Sequence, residues 1–193
     1  IHVPLAIRWG NGIKSAGRSS GVLVSLTDLA PTILEVAKVE IPTEMTGKSL
    51  NDIFLGLKIN DRSYVFSGKE RHTVCREGDL PYPQRAIRDS SFLYIQNFEP
   101  DRWPAGSPYI KSSHGWEYGD IDLSPTFNFM QNNTDNINVK RLLDFATEKR
   151  PHEELFDITN DPYCQNNLID NVIYEPHKIR LSEACLLYTS DAA

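Results

Sequence analysis

The side chains best suited to chemistry crowd into one stretch, Gly68 to Gly106 (GKERHTVCREGDLPYPQRAIRDSSFLYIQNFEPDRWPAG). From Gly68 to Arg88, Lys69, Arg71, Arg76, Arg85 and Arg88 stand against Glu70, Glu77 and Asp79. This local positive balance sits on a chain of formal net charge -6. A locally basic loop on an acidic protein points to an anionic ligand. The competing reading is a solvated hairpin face whose charges pair internally, and spacing alone favours it. The net charge argues against non-specific nucleic-acid binding. Cys75, Cys164 and Cys185 are an odd number with no C-x-x-C pair, so neither a disulfide framework nor a zinc site is indicated. Asn132-Asn133-Thr134 fits a glycosylation sequon, a pattern short enough to arise by chance.

These residues must be held by a folded core. The chain has 193 residues, 40% hydrophobic and 24% charged, an ordinary soluble composition. No apolar run approaches the ~20 residues that span a bilayer. Residue 1 is Ile, so the start is read as cut, and a missing signal peptide says little about the compartment.

Apolar runs and turn residues give the elements. His2–Trp9 reads as a mostly buried strand stopped by Gly10-Asn11-Gly12. Gly21–Leu26 is a strand or a helix entry. Thr27–Lys38 is the clearest helix, with Thr27 or Asp28 as cap, Pro31 in its first turn, and Ala30, Ile33, Leu34 and Ala37 on one buried face. Ser49–Asp52 has capping-box form and opens a short helix that Gly56 closes. Ser63–Ser67 is a short strand. Arg85–Arg88 and Phe92–Phe98 form a hairpin across Asp89-Ser90-Ser91. Glu99–Pro108 is an ordered loop, and Tyr109–Asn133 a long irregular surface excursion. Thr134–Lys149 is a second helix, Glu154–Ile158 a strand, and an amphipathic helix follows from about Val172.

Three separated blocks together resemble the type I sulfatases of the alkaline phosphatase superfamily. The first is D-x-x-P-T-[ILV]-L, here Asp28-Leu29-Ala30-Pro31-Thr32-Ile33-Leu34, followed by G-[KR]-S-L, here Gly47-Lys48-Ser49-Leu50. The second is E-L-[FY]-D followed by D-P-x-x-x-x-N-L, here Glu154 to Leu168. Between them, GKERH and YPQRAIRDSSFLYIQNFEPDRWPAG are similar to the heparan N-sulfatase (N-sulfoglucosamine sulfohydrolase) branch. Departures are Gly10 for Pro, Lys38 for a helix-ending Gly, and Cys164 for Glu.

The resemblance implies an α/β, alkaline-phosphatase-like sulfatase fold. Residues 1–60 would be the end of the main α/β domain. Residues 61–183 would be a C-terminal antiparallel-sheet subdomain packed by the Thr134–Lys149 helix. Residues 184–193, which resemble a translated sequencing adapter, would be a non-native tail. It further implies a sulfatase acting on sulfated glucosamine or heparan-type glycans, in a periplasmic, secreted or lysosomal compartment. The formylglycine motif [CS]-x-P-x-R does not occur, and the family's calcium ligands and catalytic Lys and His precede residue 1 in the usual order. No catalytic or metal-binding residue is therefore assigned. Calcium and formylglycine are expected in an N-terminal part, and this chain alone is expected to be inactive. The substrate-binding candidates are His72 first, then Arg71, with Arg76 and Arg85 weaker; Arg85 can instead pair with an acid such as Asp79. Two alternatives stay open: a non-catalytic anionic-glycan-binding module, and a phosphate or phosphonate ester hydrolase of the same superfamily.

Overall fold

The computed structural model describes residues 3–57 and 62–190, with side chains as far as Leu186. The chain forms two compact units, 1–66 and 67–193. In the first unit, α1 (Leu29–Val36) follows a 3-10 turn at Leu26–Asp28, and α2 (Asn51–Leu55) ends at Gly56 in the left-handed conformation that glycine adopts without steric cost.

The start of α1 is a knot of buried polar atoms. The Ser25 hydroxyl accepts from the Thr27 N–H at 3.3 Å, and the Asp28 carboxylate accepts from the Ser25 N–H at 2.8 Å. That is a reciprocal capping box, with Ser25 rather than Thr27 in the cap position. Asp28 has no exposed surface, and its other oxygen accepts from the Lys48 N–H at 2.8 Å and from Arg62 at 2.6 Å. One turn on, the Thr32 hydroxyl donates to the Asp28 carbonyl at 2.5 Å and accepts from the Leu50 N–H at 2.9 Å. The D-x-x-P-T and G-K-S-L blocks are thus two sides of one hydrogen-bonded joint. Gly47 completes it, because a Cβ there would lie 2.1 Å from the Thr27 carbonyl oxygen. Lys38, in the helix-ending position, tolerates a φ of 59°.

The expected strand at His2–Trp9 does not form. His2 lies outside the described residues, and residues 3–9 run without a paired neighbour, leaving Val3 65% exposed. A strand exists only through a hydrogen-bonded ladder, and none reaches this segment among the described residues. At its end Trp9 lies edge-on to Phe54 at 6.2 Å.

The second unit is built on a sheet ordered β1-β2-β3-β4: Val65–Lys69, Gln84–Arg88, Phe92–Asn97 and Glu153–Asp157. The expected hairpin is present, antiparallel, with Arg85 opposite Gln96 and Ile87 opposite Tyr94. Period-two alternation gives the sheet two different faces. Ile87, Tyr94 and Leu155, each 0–1% exposed, point to one face; Ala86, Leu93 and Phe156 cluster on the other.

The helix packed on β2 and β3 is α5 (Glu175–Ser190), which buries Leu181 and Cys185 and runs on into the segment expected as a tail. Phe92 stacks on His177 at 4.1 Å, and Arg180 pairs with Asp89 at 2.5 Å. The Thr134–Lys149 helix is α4 (Ile137–Thr147), capped by Asn136 rather than Thr134, and it packs on α3 (Pro125–Asn132). The excursion expected over Tyr109–Asn133 is therefore partly helical, and its earlier part buries Ser112.

The joint at Asp28 makes one prediction. Asp28→Ala removes the acceptor of three donors, one of them charged, and should cost about 3 kcal/mol, since breaking a buried pair costs roughly 3–5 kcal/mol. Urea unfolding followed by far-UV circular dichroism measures this. A loss below about 1 kcal/mol would contradict the assignment.

Candidate functional site

The loop from Glu70 to Pro83 joins β1 to β2 and is stitched to residues 103–120. Ser107 N–H donates to the Cys75 carbonyl at 2.8 Å, and Ser113 N–H to that of Val74 at 3.0 Å. Gly106, at φ 94°, lies where a Cβ would meet Gly119 N at 2.8 Å and Cys75 Sγ at 3.0 Å, so the two loops touch through backbone.

Asp120 is the centre of this seam. Its carboxylate is 4% exposed and accepts from Lys69 at 2.9 Å and from Arg76 at 2.6 Å. Lys69 also donates to the Pro104 carbonyl at 3.1 Å. Arg76 donates to the carbonyls of Trp103 and Pro104, both at 2.7 Å, and towards Cys75 Sγ at 3.4 Å. Tyr82 lies beneath both cations, its ring 5.9 Å from Lys69 and 5.6 Å from Arg76. Burial opposes ionisation of Asp120, but the hydrogen bonds and charges of Lys69 and Arg76 outweigh it and hold the carboxyl below its usual range. Burial pushes the Cys75 thiol up to about 11, against the pull of Arg76, so it stays protonated and unreactive.

The four candidate residues divide. The His72 side chain is 66% exposed, with Nδ1 3.5 Å from the second Asp120 oxygen, at the outer rim of the cluster. Arg71 is half exposed and pairs with Asp79 at 2.9 Å. Arg76 is buried, and its donors are committed to the seam. Arg85 pairs with Glu70 at 2.5 Å, not with Asp79, and its guanidinium lies 5.9 Å from the Phe98 ring. The structure thus joins His72 and Arg76 through Asp120 and leaves Arg71 and Arg85 on separate acids.

Lys69, Tyr82 and Asp120 lie outside the four candidate residues. Lys69 was legible as part of GKERH, but Asp120 lies 51 residues away in an irregular stretch with no local pattern to announce it. Lys69 and Arg76 against Asp120 leave an excess positive charge at the rim where His72 sits. Such a rim can donate to an anion.

The residues present do not fit a calcium ion or a formylglycine. Among the described residues no group of three His, Cys, Asp or Glu side chains is placed to hold a metal. No Cys or Ser stands two residues before a proline with Arg two residues after it.

Residues 1–98 match the family described as N-sulphoglucosamine sulphohydrolase, C-terminal. Two ulvan-active sulfatases of Formosa agariphila are 29% and 30% identical over 184 and 187 residues, 94% of this chain in each case. Those stretches are 31% and 27% of the relatives' own lengths, so the chain spans less than a third of the curated relatives it matches. A solved structure described as in complex with its substrate D-glucosamine-2-N,6-O-disulfate aligns over 84% of this chain and 23% of its own. Its TM-score is 0.48, at 17% identity.

A carboxyl whose folded pKa is depressed stabilises the fold fully above its unfolded pKa of about 3.9 and loses that stabilisation as pH falls through the folded value. Asp120→Asn should therefore be less stable than the parent by about 3 kcal/mol at pH 7, in the range for breaking a buried ion pair. The difference should shrink as pH falls below about 4. Denaturant unfolding at a series of pH values tests this. A difference that stays constant down to pH 2 would show that Asp120 contributes shape and not charge.

Proposed function

The chain belongs to the N-sulphoglucosamine sulphohydrolase C-terminal family, and from that membership we propose that it is the C-terminal part of a sulfatase acting on sulfated glucosamine in heparan-type glycans. The observation that carries the substrate reading is the exposed imidazole of His72 at the positive rim of the Asp120 cluster. Within the complete enzyme, the Gly68–Arg76 loop borders the substrate pocket. His72 donates a hydrogen bond to a sulfate or hydroxyl oxygen of the sugar.

Arg71 adds a permanently charged donor whose planar fork matches two sulfate oxygens. It reaches the ligand by exchanging its surface pair with Asp79, which costs little because such an exposed pair is worth only about 0–1 kcal/mol. Arg76 and Lys69 do not move. They neutralise Asp120 and fix the two loop backbones, so that His72 is presented from a rigid seam. Arg85 keeps the β1–β2 edge closed through Glu70 and takes the least part.

The chemistry at sulfur belongs to the part of the protein that carries formylglycine and calcium. When present, these supply the nucleophile and the charge neutralisation for the transferred sulfuryl group. The residues described here bind and orient only. Their effect falls on ground state and transition state alike.

Two outcomes are expected. In the full-length enzyme, His72→Ala and Arg71→Ala should each raise KM for a sulfated glucosamine substrate several-fold while kcat changes less, the signature of uniform binding. Unchanged KM with lowered thermal stability would make the loop structural. The 193-residue chain alone should hydrolyse neither an aryl sulfate nor N-sulfoglucosamine; turnover by purified chain would overturn the division of labour.

A further inference from the structure

The two carboxylate oxygens of Asp120 are in different situations. Oδ2 accepts from Lys69 at 2.9 Å and from Arg76 at 2.6 Å. Oδ1 is buried without a formed hydrogen bond. Two groups approach it: the Cys75 thiol, protonated and only a weak donor, and His72 Nδ1 at 3.5 Å. A buried oxygen of an ionised carboxyl calls for a strong donor, and the imidazole is the one that can supply it. At 3.5 Å the contact is longer than a hydrogen bond, and closing it takes a movement well under an ångström. Such contacts are often long until a ligand is bound. Asp120 is 4% exposed and fixed by the seam, whereas the His72 side chain is 66% exposed, so the imidazole adjusts to the carboxylate and not the reverse.

The place of one proton then decides what His72 offers a ligand. A neutral imidazole has one N–H donor and one bare nitrogen acceptor. With the proton on Nε2, the Nδ1 lone pair would face a carboxylate oxygen, two acceptors in a place shielded from water. With the proton on Nδ1, the ring donates to Oδ1. Asp120 therefore selects the Nδ1–H form and leaves Nε2, the nitrogen on the far side of the ring, as an acceptor. Nε2 becomes a donor only in the imidazolium.

We propose that Asp120 is the positioning residue for His72: it holds the ring proton on Nδ1, so that Nε2 donates to a sulfate oxygen only in the imidazolium form and otherwise accepts from a sugar hydroxyl. The consequence for binding rests on the reading of the loop given under the proposed function; the pairing itself does not.

The charges around the ring set the sign of the pH dependence. Asp120 favours the imidazolium, while Lys69 on β1 and Arg76 on the same loop as His72 oppose it. Cys75 is neutral, Arg71 is paired with Asp79, and Glu70 with Arg85. A bound sulfate adds negative charge and tips the balance to the imidazolium, so proton and sulfate bind together. Asp120, held below the usual carboxylate range, stays ionised while the imidazole titrates. The help His72 gives to sulfate binding is therefore present on the acid side of the imidazole titration and is lost as pH rises through it.

The test is long-range proton–nitrogen NMR on the nitrogen-15-labelled chain, with the His72 signals assigned by their loss in His72→Ala. On the alkaline side of the titration the ring should carry its proton on Nδ1, the opposite of the Nε2–H form that free histidine favours. Asp120→Asn offers an amide N–H to Nδ1 and should switch the proton to Nε2, as the same exchange does in a serine-protease triad. If that variant does not fold, the parent spectrum decides. In the full-length enzyme, the factor by which His72→Ala raises KM for a sulfated glucosamine substrate should be several-fold on the acid side of the titration and disappear on the alkaline side.

A proton on Nε2 in the parent, an unchanged tautomer in folded Asp120→Asn, or a KM factor that does not vary with pH overturns the proposal. If the spectrum shows Nε2–H while His72→Ala raises KM equally at every pH, the pairing falls and the loop reading stands. If it shows Nδ1–H while His72→Ala leaves KM unchanged at every pH, the loop reading falls and the pairing stands.

Discussion

A carboxylate taken out of water must find its full set of donors, and each unit of this protein is arranged around one that has to do so. Removing such an ion from water costs several kcal/mol, which only close, well-aligned partners offset. Asp28 collects two backbone N–H groups and Arg62, and in doing so locks the entry of α1 to the segment before α2. Asp120 collects Lys69 and Arg76, which themselves grip the carbonyls of Trp103 and Pro104. Loops that would otherwise be separate surface excursions become one seam. The cost of burying the charge is what makes the seam specific, because any other approach of the two loops strands an ion.

This constraint also explains why the basic stretch does not act as a diffuse positive patch. Arg71, Arg76 and Arg85 each meet an acid, so the reading of internally paired charges holds for three of the four candidate residues. What remains is a small, directional surplus at the rim where His72 lies. A diffuse patch would bind any polyanion through salt-dependent attraction. A few oriented donors on rigid backbone discriminate by geometry instead.

Elements with local signals were legible in the sequence. The β2–β3 hairpin could be read from alternating apolar and aromatic residues around a three-residue connection, and α1 from Pro31 in its first turn, but not the face it buries: Ala30, Ile33 and Ala37 of the expected face are exposed, and Pro31 and Thr32 are the buried positions because Thr32 bonds into the Asp28 joint. The end of α2 followed from Gly56. Partners far apart in the chain were not legible. Asp120 meets Lys69 and Arg76 across 51 and 44 residues, and Arg85 chooses Glu70 over Asp79 because β1 runs beside β2. The α3 helix carried a readable signal in Ser124 as cap with Pro125 at the first helical position, hidden in a polar, aromatic surrounding. The segment from Val3 to Trp9 had the composition of a strand but no ladder to join, and composition does not report the neighbour.

The sheet order has a kinetic meaning. The hairpin closes across Asp89–Ser91, whereas β4 must return from beyond residue 152 to find β3. Short hairpins form in roughly 1–10 μs, while closing a long loop costs entropy before any contact rewards it. Folding of the second unit should therefore nucleate at the hairpin and finish when β4 docks. Until then the flank of β3 is an open edge rich in aromatic residues, able to pair with another chain's strand. The interval between these two events, rather than the finished structure, is where this protein is most exposed to misassembly. Glu153, Glu154 and Asp157 give the late strand a charge that disfavours its pairing with copies of itself.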